Sequence, residues 1–334
     1  MNSYERLFAR MAGKPVDRVP NNCIIMGFGA HYVGARYKEF VTDYKVLVEA
    51  AIRCKEDFDL DILSVISDPM REAEAFGSEI IFPEDGVPYA PEPLIGDLKD
   101  LKQLKVFKPE DHKRTNDRLL AVRELADYAK RECAVQGWVE GGFAEACDLR
   151  GINNMMMDVA LDPEASKELI EISTQGAIDF ALAQVEAGAD IIGIGDAAAS
   201  LIGPEMYREF ALPYEKRIVE AIHKAGAKTK LHICGNINSI IELIMETGVD
   251  MIDCDWMVDF EKANKLVGTN VSACGNFDPV AILLEGDPEL VKQEVERCLN
   301  QSSPTSVIAA GCEVPVNTPK ENLQAVSEAL KSLS

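Results

Sequence analysis

Eight short apolar runs, rich in Val and Ile and separated by stretches with helical periodicity, constrain this chain more than any other feature. They read NNCIIMGFG (21–29), DLDILSVISDP (59–69), AVQGWVEGGF (134–143), ADIIGIGD (189–196), AKTKLHICG (227–235), VDMIDCDW (249–256), NVSACGNFDP (270–279) and SVIAAGC (306–312). Their hydrophobicity is continuous rather than alternating, which marks strands covered on both faces and so a parallel sheet wrapped by helices. Eight such units predict an α/β fold, a (β/α)8 TIM barrel. Helical periodicity over Ser3–Ala12 adds an amino-terminal extension. A hairpin insertion is expected after the second run, where EIIF and VPYAP flank Glu84, Asp85 and Gly86. A doubly wound sheet fits less well, because no G-x-G-x-x-G follows the first run. At 334 residues the chain suits a single domain, 1–334.

Charge narrows the partners. A formal net charge of -22 opposes binding to a nucleic-acid backbone or an anionic membrane, leaving small molecules and other proteins. No apolar run reaches the length of a membrane helix, and the opening MNSYERLFARMAGK lacks a signal-peptide core, so a cytoplasmic protein is expected. The nine cysteines have no framework spacing and read as reduced thiols, each by default a small core hydrophobe.

In a barrel of this kind chemistry sits at the carboxyl ends of the strands. Polar residues gather at those ends here: Asp68, Glu140, Asp196, His232, Cys234, Asp253, Asp255, Asn276, Asp278, Cys312 and Glu313. Strand side chains alternate, so His232 and Cys234 point the same way while Leu231 and Ile233 point the other. One histidine on a strand is more often a core residue than a ligand. Joined to Cys234 and to Cys312 at the end of the last run, it becomes part of a borderline-soft set that suits zinc better than magnesium or calcium. Asp255 is the first choice for a fourth ligand, ahead of Glu140 and Asp196. Glu140, Asp196 and Asn276 are expected around the substrate, and Cys274 is expected in the core. Gly141-Gly142 and Gly235 suit either close backbone approach to a ligand or plain turns.

Two longer segments carry a resemblance. The run DWMVDFEKANKLVGTNVSACGNFDPVAILLEG resembles the uroporphyrinogen decarboxylase superfamily, with its D-W-x-V-D and G-N-x-D-P segments in that order. LHICGN together with GCEVPVNTPKENLQA is similar to the zinc-dependent branch, the methylcobamide:coenzyme M methyltransferases and related corrinoid-protein methyltransferases. The branch's H-x-C-xn-C zinc motif falls on His232, Cys234 and Cys312. The resemblance implies a zinc-dependent methyltransferase that moves a methyl group between a corrinoid protein and a small substrate such as a thiol. The reverse traffic, demethylation of methoxylated or methylated small molecules, is the first alternative. A metal-free decarboxylase is the second, but the place of that branch's arginine-rich R-Q-A-G-R-Y segment reads NNCIIMGFGAHYVG, without the guanidinium forks that an acidic porphyrinogen needs. A closed structural zinc is a third, disfavoured because only three ligands are evident. No D-x-H-x-x-G occurs, so the corrinoid is expected on a separate protein.

Overall fold

The structure, a computed structural model, describes residues 1–333. Its centre is a curled seven-stranded parallel sheet in sequential order: β1 Ile62–Ser64, β2 Ala134–Glu140, β3 Ile191–Gly195, β4 Lys228–His232, β5 Met251–Asp253, β6 Ser272–Phe277 and β7 Val307–Ala310. Six of the seven are buried along nearly their whole length, as the unbroken apolar runs require, because helices cover the outer face. The order is that of a (β/α) barrel.

The eighth stave departs from the expectation. Residues 21–29 were to form the first strand, yet only Asn21 and Ile24 pair, as isolated parallel bridges to Ile308 and Glu313. Pro20 has no N–H to donate, and the Asn21 N–H is taken by the Asp61 carboxylate at 2.8 Å rather than by a neighbouring carbonyl. The run then turns into a helix, Gly27–Tyr32, whose first N–H donates to Glu313 at 2.9 Å. Asn22 N–H to the Ile308 carbonyl and Asp61 N–H to the Asn21 carbonyl, each at 2.9 Å, still join this segment to β7 and β1 and close the ring.

The amino-terminal extension is helix Ser3–Met11, capped by Asn2 and lying under the barrel. Arg6 Nη1 meets Asp61 at 2.6 Å, and Arg10 Nε donates to the Ser306 carbonyl at 2.8 Å, so both tie the helix to the amino ends of β1 and β7. The expected hairpin shrinks to one antiparallel bridge, Ile81 with Tyr89, above the opposite end. Between β3 and β4 the chain forms two helices, Gly203–Phe210 and Leu212–Lys224, split where Pro213 interrupts the backbone ladder. Among the described residues no helix is long and apolar enough to cross a membrane.

Strand register places the site. Glu140 pairs with Gly195, Gly195 with His232, His232 with Asp253, and Asp253 with Cys274. Paired residues of parallel strands share a face, so these five form one transverse row inside the barrel, at the carboxyl ends of β2 to β5 and in the middle of β6.

Candidate metal centre

His232 ends β4, and its ring is buried. Cys234 follows two residues later on the same face, and Gly235, at φ 88, then turns the chain away in a conformation that a side chain would strain. Cys312 comes from the exit of β7. Gly311 just before it has no Cβ because one would stand 2.3 Å from the Trp256 nitrogen and 2.8 Å from the Asp255 carbonyl carbon. That close approach of the β5 and β7 exits brings Cys312 to Cys234.

The three ligand atoms lie within 4.8 Å of one another. His232 Nε2 is 3.0 Å from Cys234 Sγ and 3.8 Å from Cys312 Sγ, and the sulfurs are 4.0 Å apart. Around a tetrahedral zinc, with Zn–S of about 2.3 Å and Zn–N of about 2.1 Å, two sulfurs stand about 3.8 Å apart and sulfur and nitrogen about 3.6 Å. The trio fits that ion with shifts of a few tenths of an ångström.

Behind the histidine stands a pair that sequence reasoning did not assign. His232 Nδ1 lies 3.0 Å from Asp253 Oδ2, which also accepts from Lys230 Nζ at 3.0 Å. In a neutral imidazole this carboxylate would hold the ring proton on Nδ1 and leave the Nε2 lone pair facing the sulfurs. Burial pushes the Asp253 carboxyl up, but Lys230 and then His232 outweigh it and keep it below the usual carboxylate range. Burial likewise opposes a charged His232, and Cys234 and Asp253 outweigh it, raising the imidazole. A hydrogen bond from Cys234, reinforced by His232, lowers the Cys312 thiol to about 4, while Cys234, as the donor to Cys312, is pushed up. One of the two sulfurs, that of Cys312, is thereby favoured as thiolate. Lys230 shares the alternation that links His232 and Cys234, so it was within reach of the sequence. Asp253 needed the pairing register.

The other expected residues fall in different places. Asp255 lies outside the trio: its Oδ2 accepts the Gly235 N–H and its Oδ1 the Trp256 N–H, both at 2.6 Å, so it holds the two strand exits together. It is close enough for Cys312 to raise its carboxyl, after burial, and for His232 to lower it. Glu140 faces the barrel interior. Its Oε1 accepts from Trp138 Nε1 at 3.3 Å, and the Trp138 ring centroid is 6.1 Å from that of His232. Asp196 does not face inward. Alternation gives the inner position to Gly195, and Asp196 turns to the helical layer, accepting the Ala144 N–H at 2.8 Å. Its environment there includes Glu215, which accepts from Tyr207, and burial lifts Asp196 to about 7. Asn276 also points away from the trio, donating from Nδ2 to the Val258 carbonyl at 2.7 Å. It stitches the β5 exit to β6. Cys274 is buried in the row and stays outside the ligand group, as expected of a core thiol.

Across Trp138 from the trio buried acids are crowded with the guanidiniums of Arg71, Arg114 and Arg118. Glu72, Glu140, Glu145 and Asp148 surround Arg71, whose Nη2 is 3.2 Å from Glu72 and 3.4 Å from Glu140. Burial raises all four carboxyls, that of Asp148 to about 8. Neither Glu145 oxygen has a hydrogen-bond partner among the described residues.

Known proteins resemble this chain along its whole length. Residues 2–333 match the family described as uroporphyrinogen decarboxylase (URO-D). Methylcobamide:CoM methyltransferase MtbA of Methanosarcina mazei is 32% identical, covering 98% of this chain and 97% of its own. Methylcobamide:CoM methyltransferase MtaA of Methanosarcina barkeri is 29% identical, over 96% of this chain and 95% of its own. A solved methyltransferase from Methanosarcina mazei superposes with a TM-score of 0.91 at 26% identity, covering 100% of this chain and 99% of that one.

Proposed function

The chain belongs to the uroporphyrinogen decarboxylase family, and on that footing we propose that it is a zinc-dependent methyltransferase moving a methyl group between a corrinoid protein and a small thiol. The observation that carries the reading is the His232, Cys234 and Cys312 trio at the barrel's carboxyl end, with three protein donors and room for one exogenous ligand. These residues would hold the ion. Zinc with two thiolates and a neutral imidazole is formally uncharged, and it would keep an incoming thiol deprotonated at neutral pH while leaving the sulfur nucleophilic.

The chain's own residues do the rest. Asp253 keeps the His232 proton on Nδ1, and Lys230 balances the charge of Asp253. Asp255, beside the trio, is the candidate to take the fourth position until a thiol displaces it. Trp138 stands beside the histidine on the inner side, the two ring centroids 6.1 Å apart. In the transfer a sulfur–carbon bond forms as the cobalt–carbon bond breaks, the electron pair stays on cobalt, and the thiol proton leaves to solvent. The corrinoid arrives on a partner protein at the mouth, where Trp256 and Met257 at the β5 exit are 49% and 42% exposed.

Metal analysis of anaerobically purified protein tests this reading. About one zinc per chain is expected, lost in His232→Ala, together with methyl transfer from methylcobalamin to a thiol that disappears in the same variant. Metal-free wild-type protein that cannot be loaded with zinc would overturn it.

A further inference from the structure

Of the nine cysteines, seven are buried and two, Cys234 and Cys312, are half-buried at the barrel mouth. Their sulfurs stand 4.0 Å apart, although 78 positions separate the two residues in the chain. Protein contacts hold them there. The Asp255 carboxylate accepts the N–H of Gly235, next to Cys234, and the N–H of Trp256, both at 2.6 Å. Gly311, next to Cys312, packs on the same corner, where a Cβ would stand 2.3 Å from the Trp256 nitrogen. The β5 exit therefore clamps both sulfur-bearing strand exits, and the fold itself keeps the pair together, independently of a metal ion.

Two thiols held in this way have a second chemistry besides ligation. A disulfide needs its sulfurs about 2.0 Å apart, so each would travel about 1 Å, within reach of rotation about the Cα–Cβ bonds. The seven buried thiols lack the solvent access that oxidation requires.

Resting on the zinc reading, we propose that Cys234 and Cys312 are a reversible redox switch: a peroxide joins them in a disulfide, which expels the zinc ion and stops methyl transfer until a thiol reopens the bond. One thiolate attacks the peroxide; a sulfur–oxygen bond forms, the oxygen–oxygen bond breaks and hydroxide leaves. The second thiolate attacks the resulting sulfenic sulfur, the sulfur–sulfur bond forms, and a second hydroxide leaves. Two protons from solvent turn both hydroxides into water, and two electrons have passed from the sulfurs to the peroxide. Zinc leaves as the divalent ion because a disulfide offers it no anionic sulfur. A partner sulfur at 4.0 Å intercepts the sulfenic acid before more peroxide reaches it, which keeps the oxidation at its reversible step.

Reopening uses the class of molecule that the centre already receives. One small thiol attacks the disulfide to give a mixed disulfide, a second displaces it, and the small thiols leave as their own disulfide while both cysteines return reduced. The switch suits the reaction it guards, since the electron pair left on cobalt after transfer is open to the same oxidants.

Hydrogen peroxide added anaerobically to zinc-loaded protein tests the switch, with zinc release followed by a colour-forming chelator and cross-links located by fragmentation mass spectrometry. Zinc loss is expected to match, chain for chain, a cross-link between Cys234 and Cys312. Treatment with 2-mercaptoethanol and added zinc should restore both metal content and methyl transfer. In Cys312→Ser, where the intercepting sulfur is gone, Cys234 is expected to proceed to a sulfinic acid that 2-mercaptoethanol does not reverse. A cross-link at another pair, sulfinic acid at Cys234 or Cys312 of the wild type in place of the cross-link, or zinc and activity retained under peroxide would overturn the switch and leave the methyltransferase reading standing. Protein that takes up no zinc before peroxide is added overturns that reading, and the zinc-releasing switch with it.

Discussion

The trio on β4 and β7 and the acid cluster at the ends of β1 and β2 lie on the same barrel mouth, yet they are built on opposite principles. Around His232 each group faces a complement: imidazole to Asp253, Asp253 to Lys230, thiol to thiolate. Around Arg71, with Arg114 and Arg118 beside it, buried acids and guanidiniums are crowded together, and both oxygens of Glu145, one of Glu72 and nitrogens of Arg71 and Arg118 are left without a hydrogen bond among the described residues. On the proposed reading one metal ion completes the first arrangement. The second leaves donors and acceptors unmatched inside the fold.

The sharpest way to break this contrast is to remove a member of the matched set. Cys312→Ala should abolish stoichiometric zinc and reduce methyl transfer by about a thousandfold or more, with an unaltered circular dichroism spectrum, because it deletes a ligand at a half-exposed strand exit rather than core volume. Zinc retained at one per chain would place the ion elsewhere. Next in size is Asp253→Asn, which keeps the shape but loses the charge that orients the ring. A drop in zinc affinity of roughly 10–100-fold, read by competition with a chelator, is expected. Lys230 would then be left buried without its anion, so Lys230→Met in the same background should recover part of any lost stability.

The smallest effect belongs to a buried acid outside both groups, Asp196 in the helical layer. Asp196, raised to about 7 by burial, binds a proton in the folded state that the unfolded chain, with an ordinary aspartate near 3.8, does not hold at the same pH. The folded form carries more protons between those values, so its stability falls as pH rises from about 4 to about 7. Asp196→Asn should flatten that slope and raise the melting temperature at pH 8 by a few degrees, without changing zinc content. A steeper slope in the variant would show that Asp196 is ionised in the fold.

The contrast also explains what the sequence disclosed. Continuous Val and Ile runs and the alternation of His232 and Cys234 are local signals, so the barrel, the trio and the buried state of Cys274 were legible without coordinates. Asp196 follows β3 with its side chain on the helical side, because Gly195 holds the inner position, and alternation counted to the strand's end would have shown it. Asn276 lies within β6 and spends its amide on the Val258 carbonyl, a contact that no local pattern encodes. The first run was read as a strand from its apolarity, while Pro20 and the Asp61 carboxylate decided its pairing. Asp253 and the grouping around Arg71 depend on register and on helices distant in sequence, which no periodicity encodes.

The bare inner face of β3 has a consequence for substitution. A Cβ at 195 would stand 3.0 Å from Glu140 Oε2 and 3.1 Å from Trp138 Nε1, both on β2, with no atom of the trio among its nearest neighbours. An alanine there would be felt by Glu140 and the Trp138 indole before it was felt by His232, Cys234 or Cys312.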